Sequence, residues 1–196
     1  SGNLSVMSFI KPHHPFDAVD KDANGYDPAA LSLLPGWTPE CFDRDLALNP
    51  GYFPHKDLTE ARLRRVMAYY YATISQIDFH VGRMVRLLKD RGFYEDTLIV
   101  FTADHGDYMG FHHLLLKSNL MYDPVVKVPL IIKYPRGRSR GLTRRSLVST
   151  VDVAPTILRQ AGLRPGPNMH GLDLDQGSDR EVLFVDGGNQ LMARTR

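Results

Sequence analysis

Apolar residues recur at steps of three and four between residues 58 and 91, and this spacing places one apolar stripe along one face of a helix. Asp57 and Glu60 have the spacing of an N-terminal capping pair, and Gly92 follows the last turn. The pattern therefore predicts one long helix, whose stripe packs against a core rather than a cofactor. The stripe consists of Leu63, Val66, Tyr70, Ile74, Ile77, Val81, Met84 and Leu88.

Almost unbroken apolar runs at residues 97–103 and 128–134 are typical of strands that are covered on both faces. Residues 4–10 have the same character and predict a buried strand close to the start of the sequence. A third, shorter strand is predicted over residues 146–150. Each of these strands needs neighbours on both sides, so the runs together predict a sheet inside the molecule.

Further along the chain, the pattern predicts a short helix over residues 153–161, capped by Asp152 and closed by Gly162. Residues 181–185 and 191–195 predict two strands that begin a small terminal sheet. The order of strand, long helix, strand, helix and strand is typical of an α/β fold with a largely parallel central sheet flanked by helices.

Residues 11–57 are rich in Pro, Gly, Asp and Asn and lack a sustained period. A loop of this length is uncommon inside a compact domain and tends to be functional, so we expect it to wrap over the body with one or two helical turns. The domain organisation predicted from these patterns is a main α/β domain over residues 1–165, followed by the start of a small subdomain over residues 166–196.

Composition excludes several classes of protein. The 196 residues are 43% hydrophobic, which suffices for one core, and the net charge of +2 is close to neutral. The only dense basic run, residues 136–145, is interpreted as a solvated loop, so neither nucleic acid nor a membrane is an expected partner. No stretch approaches the roughly 20 apolar residues of a membrane span. Cys41 is the one cysteine, which excludes an internal disulfide.

The candidate chemistry follows the strand predicted over residues 97–103. Asp104 and His105 fall where that strand ends, the edge at which α/β sheets bind ligands. A carboxylate and an imidazole suit a divalent cation, although an isolated Asp-His pair is more often a structural hydrogen-bonded pair. His112 and Lys117 follow in the same loop, and His13 lies in a Pro-His-His-Pro segment. Cations beside a metal are what an anionic transition state needs.

Six motifs together resemble the sulfatase family of the alkaline phosphatase superfamily. They are the Asp-His-Gly at 104–106 with Gly-Phe-His at 110–112 and Lys117, the Val-Pro-Leu-Ile-Ile at 128–132, the Asp-Val-Ala-Pro-Thr at 152–156, the Pro-His-His-Pro at 12–15 and the long helix with Tyr69, Tyr70, Asp78 and Gly82. Each motif is weak alone, but they stand in the family's order from about residue 6 to the last residue. The resemblance implies an alkaline phosphatase-like fold and hydrolysis of sulfuric esters.

The resemblance also implies a role for each matching residue. Asp104 and His105 would be two ligands of one divalent metal, calcium in most sulfatases and manganese in the related phosphonate monoester hydrolases. Lys117 would bind the sulfate or phosphate oxygens, and His13 would contact the same group as a hydrogen-bond donor or general acid. His112 matches a loop histidine whose role is either catalytic or structural. The implied substrate is a small-molecule or carbohydrate sulfate ester.

Two departures from the family pattern stand out. Phe111 occupies a position that is commonly acidic in the family. The family's nucleophile, a formylglycine made in a Cys/Ser-x-Pro-x-Arg motif, has no counterpart, because Cys41 is followed by Phe-Asp-Arg. The nucleophile and the paired carboxylates that complete the metal site are therefore expected in a preceding segment. The expectation is a chain that supplies part of an active site and hydrolyses almost nothing alone.

Two alternative functions remain open at the level of the sequence. A phosphonate monoester hydrolase, phosphodiesterase or phosphatase of the same superfamily fits His105 at the metal at least as well. A non-catalytic module would use Asp104 and His105 only to cap the sheet and would bind a partner through the long loop. The apolar edge at residues 4–10 also leaves association of identical chains possible.

Overall fold

The computed structural model describes residues 2–18, 25–48, 55–186 and 190–195. Within these ranges the helices are α1 (Asp43–Leu48), α2 (Glu60–Asp90), α3 (Asp123–Val126) and α4 (Val153–Gln160). The strands are β1 (Ile99–Thr102), β2 (Leu130–Lys133), β3 (Val182–Asp186) and β4 (Leu191–Thr195). Short 3₁₀ turns lie at Pro28–Ala30, His55–Asp57, Pro135–Gly137 and Thr150–Asp152. No helix in this part of the chain is long and apolar enough to cross a membrane.

The long helix α2 is confirmed, but its start differs from the predicted cap. Thr59 is the N-cap, and its side chain accepts a hydrogen bond from the Arg62 amide at 3.3 Å. Glu60 is the first helical residue and pairs with Arg64 at 2.9 Å instead of reaching back toward Asp57. Thr59 is the N-cap because its hydroxyl lies directly before the first turn, where a side-chain oxygen can accept a hydrogen bond from an exposed backbone amide.

Strands β1 and β2 are confirmed, and they pair antiparallel, with Ile99 opposite Lys133 and Thr102 opposite Leu130. Strands β3 and β4 form a second antiparallel pair. The predicted parallel central sheet is not present among the described residues. A parallel neighbour requires a crossover connection, usually a helix, and the connection between β1 and β2 contains only the four-residue helix α3.

Two of the predicted strands are not formed. Residues 4–10 carry no strand, and their apolar side chains are exposed, with Val6 at 84% and Ile10 at 85%. No described strand lies beside them to supply backbone partners. Residues 146–150 also lack a strand, because Ser149 and Asp152 close a capping box that starts the 3₁₀ turn at Thr150–Asp152.

The long segment before α2 has the predicted character where the structure describes it. It contains the two short turns and α1, whereas residues 19–24 and 49–54 of the same predicted loop lie outside the described residues. The 3₁₀ turn at Pro28–Ala30 contacts α2. Arg64 of that helix donates to the Leu31 carbonyl at 3.0 Å. The segment therefore wraps against the first turns of α2, as expected.

The principal core lies between the start of α2 and the residues that follow β1. Leu63 and Met67 of α2 are fully buried, whereas Ile74 farther along the predicted stripe is 40% exposed. Only the first part of the stripe is therefore a core face. The core comprises Leu58, Leu63, Met67, Tyr108, Met109, Leu114, Leu120 and Val125. Because half of these residues lie in or beside the segment that carries the candidate chemistry, the core holds that segment in place.

Candidate active site

Asp104 and His105 stand two and three residues beyond β1, at the edge of the strand pair. The Asp104 carboxylate accepts the His105 amide through Oδ1 at 2.9 Å. His105 Nδ1 bonds the Gly106 carbonyl at 2.9 Å, and since a carbonyl only accepts, Nδ1 carries the proton. The lone pair of His105 Nε2 is then available, and it lies 3.7 Å from Asp104 Oδ2.

This arrangement fits a divalent cation on the chemistry of its donors. A metal-bound histidine ordinarily donates its second ring N–H to a carbonyl or carboxylate, as His105 does. Oδ2 and Nε2 lie close enough to face one cation, and Asp104 is 87% exposed. The described residues contain no group of three or more His, Cys, Asp or Glu side chains arranged to hold a metal. Metal binding by Asp104 and His105 therefore stays a prediction from the sequence.

The residues from Asp104 to Lys117, here called the site loop, close on a partly buried carboxylate, Asp107. Its Oδ1 accepts the amides of Met109 at 2.9 Å and Leu116 at 3.1 Å. Burial raises the pKa of Asp107 to about 6, and these two hydrogen bonds oppose the rise. The charges of Lys117 and His105 also oppose it. Lys117 and His105 are thus both within electrostatic range of one carboxylate.

The Pro-His-His-Pro segment lies within electrostatic range of Lys117 through His14. Burial lowers the pKa of His14, and the charges of His13 and Lys117 lower it further. The rings of His13 and His14 stack with centroids 4.1 Å apart, and His13 Nδ1 donates to the His14 carbonyl at 2.7 Å. His14 and Lys117, about a hundred residues apart in the sequence, therefore interact electrostatically, and the shared role of His13 and Lys117 stays a prediction.

His112 belongs to a different cluster, on the side of the site loop that faces α1. Its Nδ1 lies 3.3 Å from Oδ2 of Asp45, a fully buried carboxylate. The Tyr122 hydroxyl donates to the same carboxylate at 2.8 Å, and burial followed by the Asp45 charge raises the pKa of Tyr122 to about 12. Phe111 stacks on the imidazole, with centroids 4.0 Å apart. These contacts give His112 an anchoring role in the loop.

His113, the next residue, is 4% exposed and joins the loop to both flanks of α1. Its Nδ1 lies 2.9 Å from the Thr38 carbonyl, and its Nε2 lies 2.9 Å from the His55 carbonyl. The ring stacks on Trp37 at 4.9 Å between centroids. Both ring nitrogens of His113 therefore contact residues that are far away in the sequence.

The backbone of the site loop depends on tight turns. Met109, His112, His113 and Leu116 all have positive φ, a conformation that costs non-glycine residues energy and clusters at functional sites. Gly106 leaves no room for a side chain, because an added Cβ would overlap the Pro124 carbonyl oxygen. The close packing of the site loop therefore offsets the energetic cost of its positive φ angles.

Cys41 has the properties of a structural thiol. It is partly buried and packs against the principal core. Burial raises the pKa of the Cys41 thiol, and the Asp45 charge raises it further. A raised pKa lowers the thiolate fraction on which nucleophilic attack depends. This agrees with the absence of the modification motif around Cys41.

Comparison with known proteins places these features in one family. The model of the family described as Sulfatase matches residues 3–163. An ulvan-active sulfatase from Formosa agariphila is 28% identical over 193 residues, which is 93% of this chain and 34% of the relative. Arylsulfatase K from Xenopus laevis is 37% identical over 116 residues, 59% of this chain and 21% of that protein. The chain spans about a third or less of the length of these relatives.

Solved structures of the same superfamily are also similar. A phosphonate monoester hydrolase from Silicibacter pomeroyi aligns with a TM-score of 0.77 and 31% identity, over 90% of this chain and 38% of that one. An N-acetylglucosamine-6-O-sulfatase from Bacteroides thetaiotaomicron is 31% identical over 138 residues, 70% of this chain and 25% of the relative. The fold thus matches part of the alkaline phosphatase-like α/β class. Within that class, the chain belongs to the sulfatase family.

Proposed function

We propose that this chain supplies metal ligands and oxyanion-binding side chains to a hydrolase of sulfuric esters. The observation that carries the proposal is the paired presentation of Asp104 Oδ2 and His105 Nε2 at 3.7 Å, with the imidazole tautomer set by the Gly106 carbonyl. Lys117 lies in the same electrostatic neighbourhood. The expected cation is calcium, with manganese as the alternative, and a bound cation would withdraw charge from the transferring group.

In this proposal the chain's own residues bind and orient the ester. Lys117 places a positive charge against the non-bridging oxygens, where charge develops in the transition state. His13 hydrogen-bonds the same group or donates a proton to the leaving oxygen. The contacts of His112 with Asp45 support anchoring of the loop rather than contact with the ester. No nucleophile is assigned within these residues, and the family's formylglycine would come from another segment.

The proposal also includes the domain organisation predicted from the sequence and a place for residues 4–10 in the whole enzyme. Residues 1–165 would be the carboxy-terminal part of the catalytic domain, and residues 166–196 would begin a small subdomain. The exposed apolar segment at residues 4–10 would lie in a parallel sheet of the whole enzyme, which would cover Val6 and Ile10. Its present exposure supports this part of the proposal, because apolar strands need covering on both faces.

A second candidate function is hydrolysis of phosphonate monoesters on the same site. The observation that favours it is the similarity to the phosphonate monoester hydrolase from Silicibacter pomeroyi, with its TM-score of 0.77 and 31% identity. The similarity to an ulvan-active sulfatase over 93% of the chain favours sulfuric esters. We therefore propose sulfate as the preferred ester and phosphonate as the alternative.

Hydrolysis of a panel of chromogenic sulfate, phosphate monoester, phosphate diester and phosphonate esters tests the proposal. It is run with calcium or manganese on the 196-residue chain and on the full product of its gene. We expect metal-dependent turnover by the full product, fastest with sulfate, and none by the chain alone. Turnover by the chain alone would contradict the proposal that the nucleophile comes from another segment. Metal-independent turnover would contradict the metal site.

Substitution of Lys117 separates the sulfatase proposal from a non-catalytic module. In the active protein, Lys117→Ala should lower kcat/KM by about 10²–10³, as expected for loss of a group that stabilises the developing charge. Lys127→Ala is the matched control, because Lys127 is an exposed lysine on the same stretch of chain. Equal activity of the two variants would remove Lys117 from the site.

A further inference from the structure

The two hydrogen bonds of His113 have a chemical consequence. Both ring nitrogens face backbone carbonyl oxygens, which accept hydrogen bonds and never donate them. Nδ1 lies 2.9 Å from the Thr38 oxygen and Nε2 lies 2.9 Å from the His55 oxygen. A neutral imidazole has a single N–H and satisfies only one of these carbonyls. Both bonds together require an imidazolium.

We propose that His113 is a positioning residue of the site loop, a buried imidazolium that donates to the Thr38 and His55 carbonyls at once and so fixes Lys117. The ring is 4% exposed and stacks on Trp37, an arrangement that suits a cation because the face of an indole ring attracts positive charge. Four residues separate His113 from Lys117 along the loop.

The charged groups around His113 are compatible with a cation at this position. The titratable side chain that interacts with His113 from the segment after α1 is His55. Burial lowers the pKa of His55, and its interaction with His113 lowers it further. His55 is therefore the neutral member of this pair. On α1, the Asp45 carboxylate pairs with His112 and with Arg44. On the site loop, Asp107 interacts with Lys117.

The geometry of the loop explains how this ring reaches Lys117. His113 has a positive φ, and its amide donates to Gly110 at 3.0 Å within a tight turn. The Leu116 amide is held by Asp107 at 3.1 Å. The loop is thus fastened to α1's flanks at His113 and to itself at Leu116, directly before Lys117. Loss of the His113 contacts would remove the outer attachment nearest to Lys117, while His112 would stay bound to Asp45 and to the Gly36 carbonyl.

The test is carried out on the protein with ¹⁵N-labelled histidine, at about pH 7.5, where an ordinary imidazole is neutral. We expect two slowly exchanging ring N–H signals from His113, assigned by their loss in His113→Leu. A single ring N–H signal, or none, would overturn the proposal. This measurement needs neither a metal nor turnover.

A second readout follows the position of Lys117 through its rate of acylation by a water-soluble ester. His113→Leu should raise that rate about tenfold or more, the factor that corresponds to losing a charged hydrogen bond. His113→Gln, which keeps amide donors, should restore part of the protection. His170→Leu is the control, because His170 is exposed. Equal acylation rates in all four proteins would contradict the positioning role.

The consequence of the His113 role for catalysis rests on the proposed function. The NMR measurement and the ester panel test the positioning role and the hydrolase proposal separately. If two ring N–H signals appear and the ester panel shows no turnover, the positioning role stands and the hydrolase proposal fails. If the full product is active, His113→Leu should lower kcat more than it changes KM, because a misplaced Lys117 loses contact with the transition state. Turnover with a single ring N–H signal leaves the hydrolase intact and overturns the inference.

Discussion

The carboxylate of Asp152 joins three parts of the chain. Its oxygens accept the amides of Ser149 at 2.8 Å and Leu172 at 2.7 Å, and the Arg180 guanidinium pairs with both oxygens at 2.5 and 2.6 Å. The Asp152 side chain is fully buried. Burial alone would raise its pKa, but Arg180 and the two amides hold the pKa of Asp152 below its usual value.

Removal of this carboxylate should destabilise the protein strongly. Asp152→Ala leaves Arg180 without its partner, and we expect the free energy of unfolding to fall by about 3–5 kcal/mol, the cost of breaking a buried pair. Urea unfolding measures the change. The control is Asp96→Ala, which breaks an exposed pair with Arg136 and should cost about 0–1 kcal/mol. Equal losses in the two variants would contradict the buried role of Asp152.

The same pair predicts a dependence of stability on pH. Because the pKa of Asp152 is lower in the folded state than in the unfolded chain, its contribution is complete above the unfolded pKa. The contribution is lost as the pH falls through the folded pKa. Between about pH 5 and pH 2, Asp152→Asn should therefore lose less stability than the unsubstituted protein. Parallel stability curves would show that Asp152 does not titrate in the folded state as described.

Glycine at position 106 is required by the close approach of another backbone. An added Cβ would overlap the Pro124 carbonyl oxygen, and a backbone atom cannot move aside as a flexible side chain can. Gly106→Ala should therefore cost about 1–3 kcal/mol, as overpacking does. Gly166→Ala is the control, because nothing lies within 4 Å of its added Cβ. Thermal unfolding of both variants distinguishes a local clash from a general effect of alanine.

At the residue scale, the sequence singled out Asp104 and His105 as candidate metal ligands but did not single out their neighbours. Asp104 and His105 were predictable because an apolar strand ends directly before them. His14 and Asp107 were not singled out, since their importance arises from burial and from proximity to Lys117, neither of which has a local signature. His113 was missed for the same reason, because its partners lie far away in the sequence.

At the scale of elements, α2 dominates the fold, and its length followed from its apolar period. Gly82 lies in its interior with nothing within 4 Å of an added Cβ. Gly82→Ala should therefore stabilise the protein by about 0.5–1 kcal/mol, because alanine loses less backbone entropy in a helix. Urea unfolding measures the gain. A loss of stability would mean that another surface packs against this position.

The strands show what an apolar pattern cannot determine. Residues 99–102 and 130–133 were predictable as strands because apolar side chains crowd both faces. Their antiparallel pairing was not predictable, since the direction depends on whether the connection contains a crossover helix. Residues 4–10 have an equally apolar pattern and form no strand, because a strand also needs a partner for its backbone.

At the scale of the whole molecule, membership in the sulfatase family could be predicted from six weak motifs in order, and the family model confirms it over residues 3–163. The resemblance also predicts that His13 and Lys117 act on one group, which stays a prediction. The attachment of the site loop to the segment before α2, through His112 to Asp45 and His113 to Thr38, could not be predicted. It depends on how that long segment folds back.

The central claim is that Asp104 and His105 present a binding site for one divalent cation. Paramagnetic broadening by substoichiometric Mn²⁺ in the NMR spectrum tests it most directly, since the broadening marks the nuclei nearest the ion. We predict broadening centred on residues 104–106, reversed by excess Ca²⁺, abolished in Asp104→Ala and His105→Ala, and retained in Asp78→Ala, which alters an exposed carboxylate on α2. Broadening centred elsewhere, or unchanged in the first two variants, would contradict the claim.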